Sequence, residues 1–104
     1  MKKTEVLIAG GGIVGLTMAL ALTQRGLPVI LVDAKNLWPT EGPDLRVYAI
    51  NKASEMLFQQ LGVWEEMLAS RRLSPYQHMY VWDAVTKAHI DFDARTTASA
   101  HLGY

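Results

Sequence analysis

The chain has 104 residues, half of them apolar, with ten basic and ten acidic side chains and no cysteine. That length fits one small domain. Balanced charge argues against an electrostatic nucleic-acid binder and high apolar content against disorder. The missing cysteines exclude a disulfide scaffold, a thiolate zinc site and a catalytic thiol. What is left is a compact intracellular α/β or α+β chain.

Met1-Lys2-Lys3 ahead of an uncharged run from Val6 to Gln24 imitates a secretory signal. Three features oppose that reading. Glu5 lies in the would-be positive region, Gly10 to Gly12 interrupt the apolar stretch, and Ala19-Leu20-Ala21 sits inside the run rather than after it. As a membrane span the run is at the lower limit of length and carries four glycines. Two buried elements meeting at a glycine turn explain it better.

Glu5 to Ala9 is a short apolar run with β-branched members, which predicts a strand buried on both faces. From Ile13 to Arg25 the residues are helix-compatible and apolar almost all round, so this helix is expected to be buried. Gly26 follows as its C′ residue. Pro28 to Val32 predict a second buried strand, with Asp33 at its C-terminal end. The order is strand, glycine turn, helix, strand.

The turn reads Gly10-x-Gly12-x-x-Gly15. Gly10 permits the tight exit from the strand, Gly12 lets backbone approach a pyrophosphate, and Gly15 lets the helix pack against the strand. The N–H groups of Ile13 and Val14 then face the phosphates at the positive helix end. Asp33, followed by Ala34, stands where a carboxylate accepts hydrogen bonds from an adenosine ribose. A carboxylate there repels a 2′-phosphate, so NADP is disfavoured, and the motif does not separate FAD from NAD.

Asn36 to Asp44 form a loop rich in turn residues, and Leu45-Arg46-Val47-Tyr48-Ala49-Ile50 follows. Asn51 is a good N-cap for a helix running to about Gln60, with Ala53, Met56, Leu57 and Leu61 as its apolar face. Gly62 closes it, and Val63 to Ala69 make a short helix. Gln77 to Asp83 and Lys87 to Asp93 predict a β-hairpin around Ala84-Val85-Thr86. In its second strand His89, Asp91 and Asp93 share one face, which alternation explains without a metal. His78 and His101 read as isolated, and Arg71-Arg72 as a paired surface charge. Trp64, Trp82 and the tyrosines read as core or hairpin packing.

The string Leu45-Arg46-Val47-Tyr48-Ala49-Ile50-Asn51, then Ala53-Ser54 and Leu61-Gly62-Val63-Trp64, resembles the FAD-dependent aromatic-ring hydroxylases of ubiquinone biosynthesis. Pro75-Tyr76, Met79, Val81-Trp82-Asp83, Phe92-Asp93-Ala94 and Leu102-Gly103-Tyr104 continue the match in register. The resemblance implies FAD as cofactor, NAD(P)H as reductant and a polyprenylated phenol or benzoquinol as substrate. It aligns Gly10, Gly12, Ile13, Val14 and Gly15 with the pyrophosphate turn, and Arg46 with an arginine that approaches the flavin cofactor. Asp33 stands where the family usually has glutamate, one methylene longer. The family's later Asp-Gly and Gly-Asp motifs do not occur before Tyr104, so the chain reads as an N-terminal portion, inactive alone. Because oxygen activation belongs to the flavin, missing catalytic side chains do not count against this reading.

The expected fold is α/β: a Rossmann-like FAD/NAD(P)-binding βαβ unit over residues 1–35, loop and helices over 36–74, and a hairpin and tail over 75–104. Its parallel sheet is incomplete. The expected setting is cytoplasmic, with no nucleic acid and no membrane span, with room for peripheral membrane association, and with self-association through unpaired strand edges. Two alternatives remain at this point: the NAD-binding domain of a dehydrogenase, or a non-enzymatic nucleotide- or partner-binding module.

Overall fold

The computed structural model describes residues 3–35 and 46–104, which form two compact units divided between Leu45 and Arg46. The loop predicted over Asn36 to Asp44, and Leu45 of the family string, lie outside the described residues.

The first unit is built on β1 (Val6–Ala9), α1 (Ile13–Gln24) and β2 (Val29–Val32). β1 and β2 pair in parallel, Val6 with Val29 through Ala9 with Val32. Parallel strands need a crossover, and α1 supplies it. The ladder runs one step past the strand, because Gly10 N–H donates to Val32 O at 2.7 Å. At the far end of α1, Gly26 takes φ +80°, its N–H bonds Thr23 O, and Leu27 N–H bonds Leu22 O. This paired closure is the expected glycine stop. Thr17 and Thr23 turn their hydroxyls onto Ile13 O and Ala19 O, so these polar groups are satisfied within the helix.

Burial departs from the sequence expectation here. None of the described residues of this unit is buried: Leu7 is 65% exposed, and Val14, Leu16, Met18 and Val32 are all exposed. Strand and helix have the apolar composition of elements covered on every side. Two strands and one helix cannot cover one another that way.

The second unit contains α2 (Lys52–Gln60), α3 (Trp64–Ala69), β3 (His78–Trp82), β4 (His89–Asp93) and a 3-10 turn at Ala94–Thr96. Asn51 caps α2 as predicted, its side chain accepting the Ser54 N–H at 2.9 Å. Gly62, at φ +76°, closes the helix with the same paired bonds as Gly26, to Gln59 O and from Val63 to Phe58 O. The buried side chains are Ile50, Phe58, Leu61, Trp64 and Ala94. The predicted apolar face of α2 is therefore corrected. Phe58 and Leu61 are inside, whereas Ala53, Met56 and Leu57 stay exposed.

The last residues tie this unit together, which the sequence did not suggest. Ile50 and Tyr104 exchange two backbone hydrogen bonds, at 2.6 and 2.9 Å, while Tyr76 N–H donates to Gly103 O and Leu102 N–H to Tyr76 O. Gly103 thus lies between two neighbouring segments, and a Cβ there would fall 2.2 Å from Ile50 O. Trp64 packs edge-on against the Tyr104 ring at 5.2 Å.

β3 and β4 form the predicted antiparallel hairpin, His78 opposite Asp93 and Trp82 opposite His89. Asp83 organises its turn by accepting from Val85 N–H, Thr86 N–H and the Thr86 hydroxyl. Lys87 completes the loop at φ +59°, a position more often held by glycine. Tyr80 stacks on Trp82 and His89 on an exposed face, so Trp82, at 66% exposed, belongs to hairpin packing and not to the core.

Candidate functional site

The carboxyl ends of β1 and β2 open onto a shallow depression lined by Ala9, Gly10, Val32, Asp33, Ala34 and Lys35. In parallel α/β arrangements this edge is where ligands bind. Gly10 leaves the strand at φ +107°, a conformation that a side chain would strain. A Cβ at Gly12 would meet nothing within 4 Å, so the turn presents bare, approachable backbone. Gly15 is different. A Cβ there would lie 1.9 Å from Gly10 O and 3.4 Å from an Ile8 methyl, so this glycine exists to let α1 close on β1.

At the start of α1, Gly12 has extended backbone and provides no side-chain cap. The first bond of the helix runs from Leu16 N–H to Gly12 O at 2.9 Å. Among the described residues, nothing accepts from the N–H groups of Ile13, Val14 and Gly15. An uncapped helix start offers these donors, with the positive end of the helix dipole, to an anion.

Asp33 faces the same turn. Its Oδ2 accepts the Gly11 N–H at 2.5 Å and its Oδ1 accepts the Lys35 N–H at 2.7 Å. The Gly11 bond above all, and then the Lys35 amide, hold the carboxyl below the ordinary carboxylate range. The Gly11 contact was not legible in the sequence. The only available signal was a short acid at the end of the strand beside the glycine run.

Seven of the residues singled out from the sequence come together here: Gly10, Gly12, Ile13, Val14, Gly15, Asp33 and Ala34. Arg46 belongs to the other unit. It opens that unit, exposed, in the irregular stretch that leads to Ile50.

Several other polar groups pair among themselves. His78 is not isolated, because its Nε2 lies against Asp91 Oδ1. His101 Nε2 receives Lys52 Nζ at 2.7 Å, and Lys52 also bonds Glu55. Asp93 grips Arg95 and accepts its backbone N–H at 2.8 Å, which brings the Asp93 carboxyl down to about 2. Among the described residues no group of three or more acids, histidines or cysteines could hold a metal ion. No helix among them is long and apolar enough to cross a membrane.

A bare glycine turn, free amides at a helix start and a facing carboxylate suit a nucleotide diphosphate attached to a ribose. The chain belongs to the FAD binding domain family, which matches it over residues 3–104. Within that family its similarity is to ubiquinone-pathway hydroxylases. It is 39% identical to the 3-demethoxyubiquinol 3-hydroxylase of Escherichia coli (strain K12), over 97% of this chain and 26% of that protein. It is 40% identical to a mitochondrial ubiquinone biosynthesis monooxygenase of Xenopus tropicalis, over 96% of this chain and 23% of that protein. A ubiquinone hydroxylase of Rhodospirillum rubrum is 31% identical over 99% of this chain and 24% of its own length. The chain therefore spans about a quarter of the length of these relatives. Among the described residues the turn fits FAD: unencumbered backbone at Gly12 and a facing carboxylate at Asp33, with Lys35 as the cation acting on that acid.

Proposed function

We propose that this chain is the ADP-binding portion of an FAD-dependent monooxygenase that hydroxylates a polyprenylated phenol or benzoquinol ring, with NAD(P)H as reductant. The β1–α1–β2 unit is read as the start of a Rossmann-like parallel sheet, and residues 36–74 and 75–104 as the loop-helix and hairpin segments that follow it. In this reading Ile13 and Val14 donate to the FAD pyrophosphate and Gly10, Gly12 and Gly15 keep the approach clear. Asp33 and Ala34 border the ribose, and Arg46, assigned by resemblance, contacts the flavin cofactor. FAD supplies the redox chemistry when bound, and the protein binds, orients and excludes water.

The observation that carries this reading is the uncapped start of α1 beside the bare backbone of Gly12 and the Asp33 carboxylate. With only these contacts, the chain holds the adenosine and pyrophosphate without completing a turnover. Titration calorimetry with FAD, ADP and NAD tests it. FAD and ADP should bind with similar affinity and NAD no tighter, and Gly12→Val should weaken FAD and ADP together. A clear preference for NAD, or FAD affinity unchanged by Gly12→Val, would refute the assignment.

Self-association belongs to the same reading. β1 and β2 form a two-stranded sheet, and Leu7 and Val32 are exposed on it. Such strands recruit further copies of the chain. Sedimentation should show oligomers growing with concentration, and a monodisperse monomer throughout would contradict this. Membrane attachment, where it occurs, is expected to be peripheral.

A further inference from the structure

A phosphate-binding turn has to keep its backbone bare and still hold one shape before the nucleotide arrives. Glycine works against the second requirement, since Gly10, Gly11 and Gly12 have the widest conformational choice of any residues. Among the described residues, the side-chain hydrogen bond that reaches this run comes from Asp33, whose Oδ2 takes the Gly11 N–H at 2.5 Å. The carboxylate is itself oriented from behind, because Lys35 N–H donates to Oδ1 at 2.7 Å. Resting on the FAD reading above, we infer that Asp33 is a positioning residue that latches the glycine turn, through the Gly11 amide, into the form that receives a pyrophosphate.

Two consequences distinguish this from simple ribose contact. The Gly11 N–H is committed to Asp33, so the phosphate donors begin at the helix start, with Ile13 and Val14. Each Asp33 oxygen also keeps acceptor capacity beyond its one backbone bond, so latching and ribose binding are compatible on one carboxylate. A short side chain serves this purpose, because the turn passes directly over the end of β2, where Gly10 N–H already bonds Val32 O.

The test begins with the ligand-free chain and amide hydrogen exchange read by NMR. Asp33→Ala should speed exchange at Gly11 about tenfold, with Asp33→Asn between it and the wild type. Gly10, whose acceptor is a backbone carbonyl, should be unchanged and so reports that the unit is still folded. Calorimetry with inorganic pyrophosphate, which has no ribose, then separates the roles. Removing a negative charge favours pyrophosphate by electrostatics alone, whereas loss of the latch should weaken it about threefold or more. Equal Gly11 exchange in all three proteins, or unchanged or tighter pyrophosphate binding by Asp33→Ala, overturns the inference. If Asp33→Ala also exposes Gly10, the wild type decides. The Gly11 amide shift should titrate with the Asp33 carboxyl at a midpoint below 3.8, and a flat shift overturns the inference. A protected Gly11 in a chain that binds neither FAD nor pyrophosphate would instead overturn the FAD reading and reduce the contact to a structural one.

Discussion

Residues 3–35 include an almost uninterrupted apolar run and contain no buried side chain, whereas residues 46–104, with a somewhat higher share of charged residues, bury Ile50, Phe58, Leu61, Trp64 and Ala94. The contrast comes from architecture and not from hydrophobicity. A parallel strand pair with one crossover helix offers apolar surface on more sides than three elements can cover. The second unit closes because Tyr104 reaches Ile50 through two backbone hydrogen bonds and Trp64 through its ring. The unit whose described residues pack least carries the glycine turn. Its backbone is held by local hydrogen bonds at the turn, by two glycine-dependent positions and by Asp33.

The largest expected effect separates the two units most sharply. Trp64→Ala should cost about 3–5 kcal/mol in the second unit, by loss of the buried indole and its edge contact with Tyr104. Leu7→Ala, on an exposed strand, should change stability by no more than about 0.5 kcal/mol. Denaturant unfolding followed by amide signals in each unit measures both. A comparable loss at Leu7 would mean that the first unit has a core after all.

Gly15→Ala comes next, because its methyl would overlap Gly10 O. Moving α1 off β1 to relieve that overlap should cost about 1–3 kcal/mol in the first unit and should lower ADP affinity as well. Unchanged affinity by calorimetry would separate the packing glycine from the binding turn. Asn51→Ala should cost about 1 kcal/mol, confined to α2, by removing the cap on Ser54. Helix content by circular dichroism with a thermal scan checks it.

The smallest effect is on pH. Arg95 holds the folded Asp93 carboxyl at about 2 against an ordinary 3.8, so its contribution is complete above 3.8 and disappears as pH falls through about 2. The Arg95 amide, capped by Asp93, should therefore stay protected at pH 4 and lose protection near pH 2. Loss already at pH 4 would contradict the pairing.

Local signals were readable from the sequence wherever one residue type carries out one mechanical task. Gly26 and Gly62 stop helices, Asn51 caps one, and the Gly10–Gly15 spacing shapes the turn. Asp83 and Lys87 form a turn with no glycine, so position alone announced it. Burial was less legible. The all-round apolar character of α1 describes surface that needs a partner, not surface that has one. Phe58 was missed because Met56 and Leu57 share its helix and periodicity over nine residues does not rank them. The tie between Ile50, Tyr76 and Gly103 is backbone pairing across distant segments, which no side-chain pattern encodes. The Gly11–Asp33 contact lay in neither motif nor periodicity, since it depends on where the strand ends in space.

On the proposed function, the first unit, whose described residues include no buried side chain, binds the nucleotide. The most direct measurement is residue-resolved amide exchange with and without saturating FAD. FAD should slow exchange from Ile8 to Leu16 and from Ile30 to Ala34, and leave the β3–β4 hairpin unchanged. Protection that appears first in the hairpin, or none in the first unit, would contradict the claim.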